Sequence, residues 1–281
     1  MSFWQCSFLW LEAVIASVAV AAACAVVGVY AIMRRVVFLP AALSQISGLG
    51  VMLAFLLGAW FPAFGTSVLG RPELAAAVVT LGAALLLGWL PAPRRLSREA
   101  VIGIAYLASS ALVIAIGDRI PQESQDVTNI LFGNAVAVER GQMVVALVVS
   151  AAVLVAHALL LRPFLLVSFD PDTAAAHGVP VHTIDAALFL TLGLAISVAT
   201  KTIGALPVFA FAVLPAAAAL RLLGDVRLVL PAAALGGAAS AFLGYWASFV
   251  WSLPTGACTV LTALGLLALA EIAARVRRRP G

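Results

Sequence analysis

The chain has 281 residues, of which 64% are hydrophobic and 10% charged, with a net charge of +4 and a mean hydropathy of +1.15. A soluble domain of this length cannot keep so much apolar surface from water, so the composition excludes a soluble enzyme or binding module and describes an integral membrane protein. The apolar runs reach the roughly 20 residues that a helical span needs, and they lack the alternation of barrel strands, so the expected fold is all-α and polytopic.

In chain order, spans are predicted over Leu9 to Met33, Leu39 to Phe61, Leu74 to Leu90, Ala100 to Gly117 and Gln142 to Leu161. A double-length tract follows from Ala186 to Leu223, and then Leu228 to Val250 and Thr255 to Ala274. If the tract is two helices broken near Gly204 to Pro207, there are nine spans. If it is one helix and a re-entrant half, there are eight, and the sequence fits both. The first span contains the small residues Ala21, Ala22 and Ala23 that a secretory cleavage site would use. No basic residue precedes it, however, Glu12 lies inside it and Arg34 and Arg35 follow, so it reads as a retained anchor.

With the amino terminus outside and the carboxyl terminus cytoplasmic, Arg34, Arg35, Arg94, Arg95, Arg98, Arg162, Arg221, Arg227, Arg275, Arg277, Arg278 and Arg279 all fall inside. Only Arg71, Arg119, Arg140 and Lys201 of the 16 basic residues are then outside, which makes the positive charge a topology signal. No continuous basic face exists for nucleic acid. Cys6, Cys24 and Cys258 have no metal-ligand spacing and read as core residues, with a Cys6 to Cys258 pairing across the outer face as the alternative.

The start of the second span presents Ala41, Ser44, Gln45 and Gly48 on one helix face, a narrow stripe of small and neutral polar groups. Such a stripe serves either as the lining of a path through the bundle, with Ser44 and Gln45 facing it, or as a close packing surface between helices. On the outer side, Asp118, Glu123 and Asp126 precede the segment Thr128 to Val138, which has the pattern of an interfacial helix. The acidic residues either draw cations inward or are an ordinary solvated loop. His157, four residues from the inner end of its span, reads as hydrogen-bonded structure or an interfacial side chain rather than as a ligand.

The longest cytoplasmic connection, residues 162 to 185, encodes a complete short helix. Asp170 is its N-cap, Pro171 its first residue and Asp172 sits beside the positive end of the dipole, while Gly178 follows the last turn after His177. A capped surface helix between spans either docks a soluble partner or is a tidy loop. His177 and His182 in this connection read as facing solvent or that partner. Lys201 is the most buried-looking charge. Just before Gly204, it is placed to satisfy the last carbonyls and the dipole of its helix while reaching the outer interface, in a structural or gating role.

The ordered fragments Gly28 to Arg35, Ala42-Leu-Ser44, Ala100 to Tyr106, Leu131-Phe-Gly-Asn134, Ser168-Phe-Asp-Pro171, Gly178-Val-Pro180, Gly204-Ala-Leu206 and Leu214-Pro-Ala-Ala217 resemble the permease subunits of ABC importers for zinc, manganese and iron ions. The resemblance runs from about Ala13 to Ala274. It implies a single transmembrane permease domain over residues 1 to 281 in the bacterial inner membrane, with zinc the first expected cargo and manganese or iron next. It implies as partners a cytoplasmic ATPase, a second permease subunit in a homodimer and an external metal-binding protein. Under the resemblance the helix Pro171 to His177 becomes the coupling helix on the ATPase. Where the family carries Asp-x-x-Ser-His at the start of its second span, this chain has Ala41 and Gln45, so both strong ligands are missing and no metal-ligating residue is assigned.

No cofactor is expected. The one lysine, Lys201, is preceded by Thr200 where a P-loop needs glycine, so ATP hydrolysis is assigned to a separate chain. A secondary transporter would need paired midplane charges and inverted repeats, which this sequence lacks. A non-transporting, degenerate paralogue acting as a scaffold is the stronger alternative, because loss of Asp and His is what inactivation leaves; a permease for a non-metal substrate is another.

Overall fold

The computed structural model describes residues 7–61, 67, 70–89, 96–119 and 138–277. Eleven helices are found among them: α1 (Ser7–Met33), α2 (Leu39–Trp60), α3 (Pro72–Trp89), α4 (Arg98–Gly117), α5 (Arg140–Leu159), α6 (Leu161–Phe169), α7 (Pro171–Ala176), α8 (Val181–Ile203), α9 (Ala205–Leu222), α10 (Val226–Trp251) and α11 (Thr255–Arg277). Among the described residues no strand occurs, and nine of the helices, all but α6 and α7, are long and apolar enough to cross a membrane. Helices are the expected solution, because every backbone N–H and C=O in hydrocarbon must be paired within its own segment.

The double-length tract is two helices. Gly204 separates α8 from α9 with φ +88° and ψ 161°, a conformation that side chains rarely adopt, and the chain turns there without a loop. The count is therefore nine among the described residues, and the break lies at the position where a residue without a Cβ permits it.

α1 occupies the centre and packs on α10, α9, α5 and α8. From Val20 to Ala31 every residue but the half-buried Ala22 is buried, so this part of the helix is apolar around its circumference and enclosed around it too. Its neighbours come close because the contacting residues are small. A Cβ added to Gly28 would overlap the carbonyl of Ala212 in α9, and one added to Gly237 of α10 would lie 2.6 Å from the Ala21 carbonyl oxygen. Ser17 and Tyr245 share a buried hydrogen bond of 2.9 Å that ties α1 to α10, and the Thr262 hydroxyl of α11 donates to the Ser240 carbonyl of α10 at 2.8 Å. The large apolar side chains left outward, such as Val78, Leu107, Val148, Leu235 and Leu261, face where lipid would be.

Cys24 and Cys258 are buried free thiols, as expected of core residues; Cys6 lies outside the described residues. Arg94, Arg95, Arg278, Arg279, Glu123 and Asp126, with the segment 128–137, also lie outside them.

The close α1 to α9 approach makes a sharp prediction. Gly28→Ala lowers thermal stability in detergent by about 1–3 kcal/mol through overpacking. Gly103→Ala, where an added Cβ meets nothing within 4 Å, leaves the unfolding midpoint unchanged or raised, because Ala is the better helix former by about 0.5–1 kcal/mol. Differential scanning fluorimetry of both variants checks the contrast.

Candidate functional site

α2 begins at Leu39 with Pro40 in its first turn, where the missing N–H is harmless. The backbone N–H of Phe38 donates to Glu99 Oε1 at 2.9 Å, so the start of α2 is held by the start of α4. Above this anchor Ala41, Ser44 and Gln45 of α2 line a pocket of about 200 Å³ with Tyr106 of α4 and Ala205, Leu206 and Phe209 of α9. The Gly204 turn decides this arrangement, because it starts α9 directly beside the first turns of α2. The stripe seen in sequence is thus divided: Ala41, Ser44 and Gln45 line the pocket, while Gly48 is buried elsewhere along α2.

The chemistry of this pocket is neutral. The Ser44 hydroxyl donates to the Ala41 carbonyl at 2.8 Å, which leaves its oxygen as an acceptor only. Gln45 is 9% exposed and lines the pocket, with no hydrogen bond to its amide among the described residues. No carboxylate, imidazole or thiolate lines the space, and among the described residues no group of three or more His, Cys, Asp or Glu is placed to hold a metal ion. A divalent ion would meet an amide and a hydroxyl there, which are weak first ligands for such ions.

The short helix of the 162–185 connection is α7, and its caps are the expected ones. Asp170 accepts from the Thr173 backbone N–H at 2.9 Å and from the Thr173 hydroxyl; Pro171 opens the helix and Asp172 lies in its first turn. The helix ends at Ala176, one residue short of His177, which is the C-cap and whose Nδ1 lies 2.8 Å from the Thr173 carbonyl oxygen. Gly178 follows with φ +76°. Only Ala174 is buried, so Pro171, Asp172, Thr173, Ala175, Ala176 and His177 form an exposed face.

Lys201 does sit in the last turn of α8, but its ammonium pairs with Glu73 in the first turn of α3 instead of capping the α8 carbonyls. The tertiary partner wins because a carboxylate is a stronger acceptor for the ammonium than a carbonyl. His157 is 2% exposed and its Nε2 lies 3.0 Å from Thr191 Oγ1. The threonine hydroxyl already donates to the Leu188 carbonyl, so His157 Nε2 is the donor, a structural tie between α5 and α8. His182 is exposed and Asp118 lies just past α4, exposed also.

Sequence reasoning missed Tyr106 and Phe209 as pocket walls and Glu73 as the partner of Lys201. Only the last carried a signal: a lone lysine at one end of a span calls for a carboxylate at the same end of another. The Asp170 cap generates a test. The hydrogen bonds from the Thr173 hydroxyl and amide hold the Asp170 carboxyl below its ordinary value. The cap is therefore fully present above the ordinary carboxylate range and is lost only as pH falls through the lowered value. Protection of the amides over 172–177, relative to the intrinsic rate at each pH, persists into mild acid in the wild type, while Asp170→Ala lowers it several-fold at neutral pH; hydrogen exchange with mass spectrometry reads both.

Residues 7–274 match the ABC 3 transport family. A relative from Halalkalibacterium halodurans, named manganese transport system membrane protein MntC, is 34% identical over 259 residues, covering 92% of this chain and 85% of its own length. A Haemophilus influenzae relative named probable iron transport system membrane protein is 25% identical over 268 residues, covering 95% and 94%. Among solved structures, a chain of PsaBC from Streptococcus pneumoniae in complex with a Fab superposes with a TM-score of 0.82 at 25% identity, over 98% of this chain and 97% of that one. With nine helices among the described residues long and apolar enough to cross a membrane, and a family match over nearly its whole length, the chain is a multi-pass protein of the bacterial inner membrane and belongs to the ABC 3 transport family.

Proposed function

We propose that the chain is the membrane-spanning permease of an ATP-driven importer for divalent metal ions. The observation that carries the reading is the match of residues 7–274 to a transport family. The names of its relatives, for manganese and iron systems, move manganese ahead of zinc in the order drawn from the sequence; zinc stays a candidate cargo. Residues 1–281 act as one permease domain with the amino terminus outside, the carboxyl terminus cytoplasmic and the coupling loop at 162–185, an orientation supported by the positive-inside distribution of arginine.

In this reading two copies of the permease pair in the membrane, each seated on a cytoplasmic ATPase, and an external metal-binding protein delivers the ion. The exposed face of α7, from Pro171 and Asp172 to His177 and Gly178 with the Asp170 cap beneath, is the ATPase docking element. Ser44 and Gln45 line the ion path. Their neutral oxygens hold a hydrated ion through its water ligands, a grip strong enough to admit it and weak enough to release it. Lys201 and Glu73 hold α8 against α3 at the outer end, in a structural or gating role. ATP binding drives transport by favouring one conformation of the bundle over the other, since a ligand shifts an equilibrium only by its differential affinity.

One observation favours a second reading. The pocket carries none of the charged ligands a divalent ion prefers, which fits a degenerate paralogue kept as a scaffold. Uptake of manganese and of zinc in a strain lacking other importers, with the ATPase and binding protein supplied, separates the two. The importer reading expects uptake by the wild type and a several-fold loss in Gln45→Leu. Uptake that appears only when Ala41→Asp and Gln45→His are combined establishes the scaffold instead. On the purified permease the same pair of changes tightens manganese binding at least about tenfold, or ~1.4 kcal/mol, by calorimetry. An ATPase that fails to co-purify with the intact chain overturns the importer assignment.

A further inference from the structure

One guanidinium joins the three elements around α7. Arg34 follows the last turn of α1. Its Nη1 donates to Asp185 Oδ1 of α8 at 2.6 Å, and its Nε donates to Ser168 Oγ of α6 at 3.0 Å. The Ser168 hydroxyl donates to the Phe164 carbonyl at 2.6 Å, so its oxygen is an acceptor toward Arg34 and the pattern has one consistent direction. Side chains of the ion pair are 11% and 25% exposed, and Arg34 Nη2 is buried with no acceptor among the described residues.

The position of this joint is what gives it meaning. Ser168 lies two residues before the Asp170 cap of α7, and Asp185 lies in α8, which follows α7 after Gly178 and Pro180. The chain on both sides of α7 is therefore pinned to the end of α1 by one side chain. One turn back on each helix the register repeats: Tyr30 of α1 meets Phe164 of α6 edge to face at 5.9 Å. α7 itself buries only Ala174, so it has little packing of its own through which to pass a displacement. α1, by contrast, touches α5, α8, α9 and α10 at the centre of the bundle.

We propose that Arg34 is the positioning residue that transmits displacement of α7 to the core, by locking α6 and α8 to the end of α1. The Arg fork suits this role because one planar group holds two acceptors on different helices in a fixed relation. Lysine would keep the charge and one contact but lose the second. The unpaired Nη2 leaves a donor for a second arrangement of the same joint. This inference rests on the reading above that α7 docks the ATPase.

The test uses the full assembly of permease, ATPase and external binding protein in proteoliposomes, and reads ATP hydrolysed per manganese ion carried alongside retention of the ATPase. Arg34→Ala is expected to retain the ATPase as the wild type does while ATP spent per ion rises about fivefold or more, the size of a typical coupling term. Arg34→Lys, which keeps stem and charge, is expected to fall between them. The exchanged pair Arg34→Asp with Asp185→Arg restores part of the loss. A wild-type ratio in Arg34→Ala overturns the proposal, and so does a loss of ATPase retention, which would make Arg34 a support of the docking surface only. If Arg34→Ala does not fold, a wild-type ratio in Arg34→Lys overturns it instead. Failure of the wild-type permease to retain any ATPase marks the docking reading itself as wrong, and this inference falls with it.

Discussion

The structure depends on how closely α1 approaches the backbones of α9 and α10. At Gly28 and Gly237 there is no side chain between the paired helices, and the carbonyls of Ala212 and Ala21 take the space a Cβ would use. Between helices in lipid the hydrophobic drive is small, so dispersion between closely packed backbones and a few buried hydrogen bonds hold the bundle. Ser17 with Tyr245 is such a bond, and it lies on the same α1 to α10 seam. Once α1 is fixed at the centre, the short turn through Arg34 to Phe38 sets where α2 begins. The start of α2 is one wall of the pocket.

The second constraint is where charge is allowed. Ionised side chains at membrane depth are costly, and here they collect at helix ends and pair across elements. Arg34 meets Asp185, Lys201 meets Glu73, and Arg221 meets Glu271 at 2.6 Å. Arg98 donates to the Leu87 and Gly88 carbonyls at the end of α3, where the helix dipole favours a cation, and lies 5.3 Å from the centre of the Phe189 ring. The charges are consumed in joining helices, and the pocket between α2, α4 and α9 is left neutral. Joints and pocket belong to one arrangement, because the Phe38 N–H that anchors α2 is bound by Glu99, the neighbour of Arg98 on α4.

Much of this was legible locally. The second span, read as Leu39 to Phe61, is α2 from Leu39 to Trp60, and the last, read from Thr255, is α11 from Thr255. Hydrophobic run length and turn residues suffice for such boundaries, since each concerns neighbours in the chain. The α7 caps were legible for the same reason: Asp170, Pro171 and Gly178 act within one turn of the residues they serve. The double tract was harder. The sequence admitted a re-entrant half, and only the backbone at Gly204 shows two full helices meeting without a loop.

Composition, run length and capping by themselves determined an all-helical membrane protein, the approximate place of its spans outside the double tract and the capped helix α7, because these properties depend on residues within a few turns of one another. The resemblance implied that Ala41 and Gln45 stand where Asp and His would be expected. The tertiary structure decided that Ser44 and Gln45 share a pocket with Tyr106 and Phe209, that Lys201 turns to Glu73 and that Arg34 joins α6 and α8 to α1. Those partners lie on different helices, Lys201 and Glu73 being 128 residues apart. No periodicity in the chain encodes which faces of the similar apolar helices will meet; that choice is made by the small residues that let particular backbones come together.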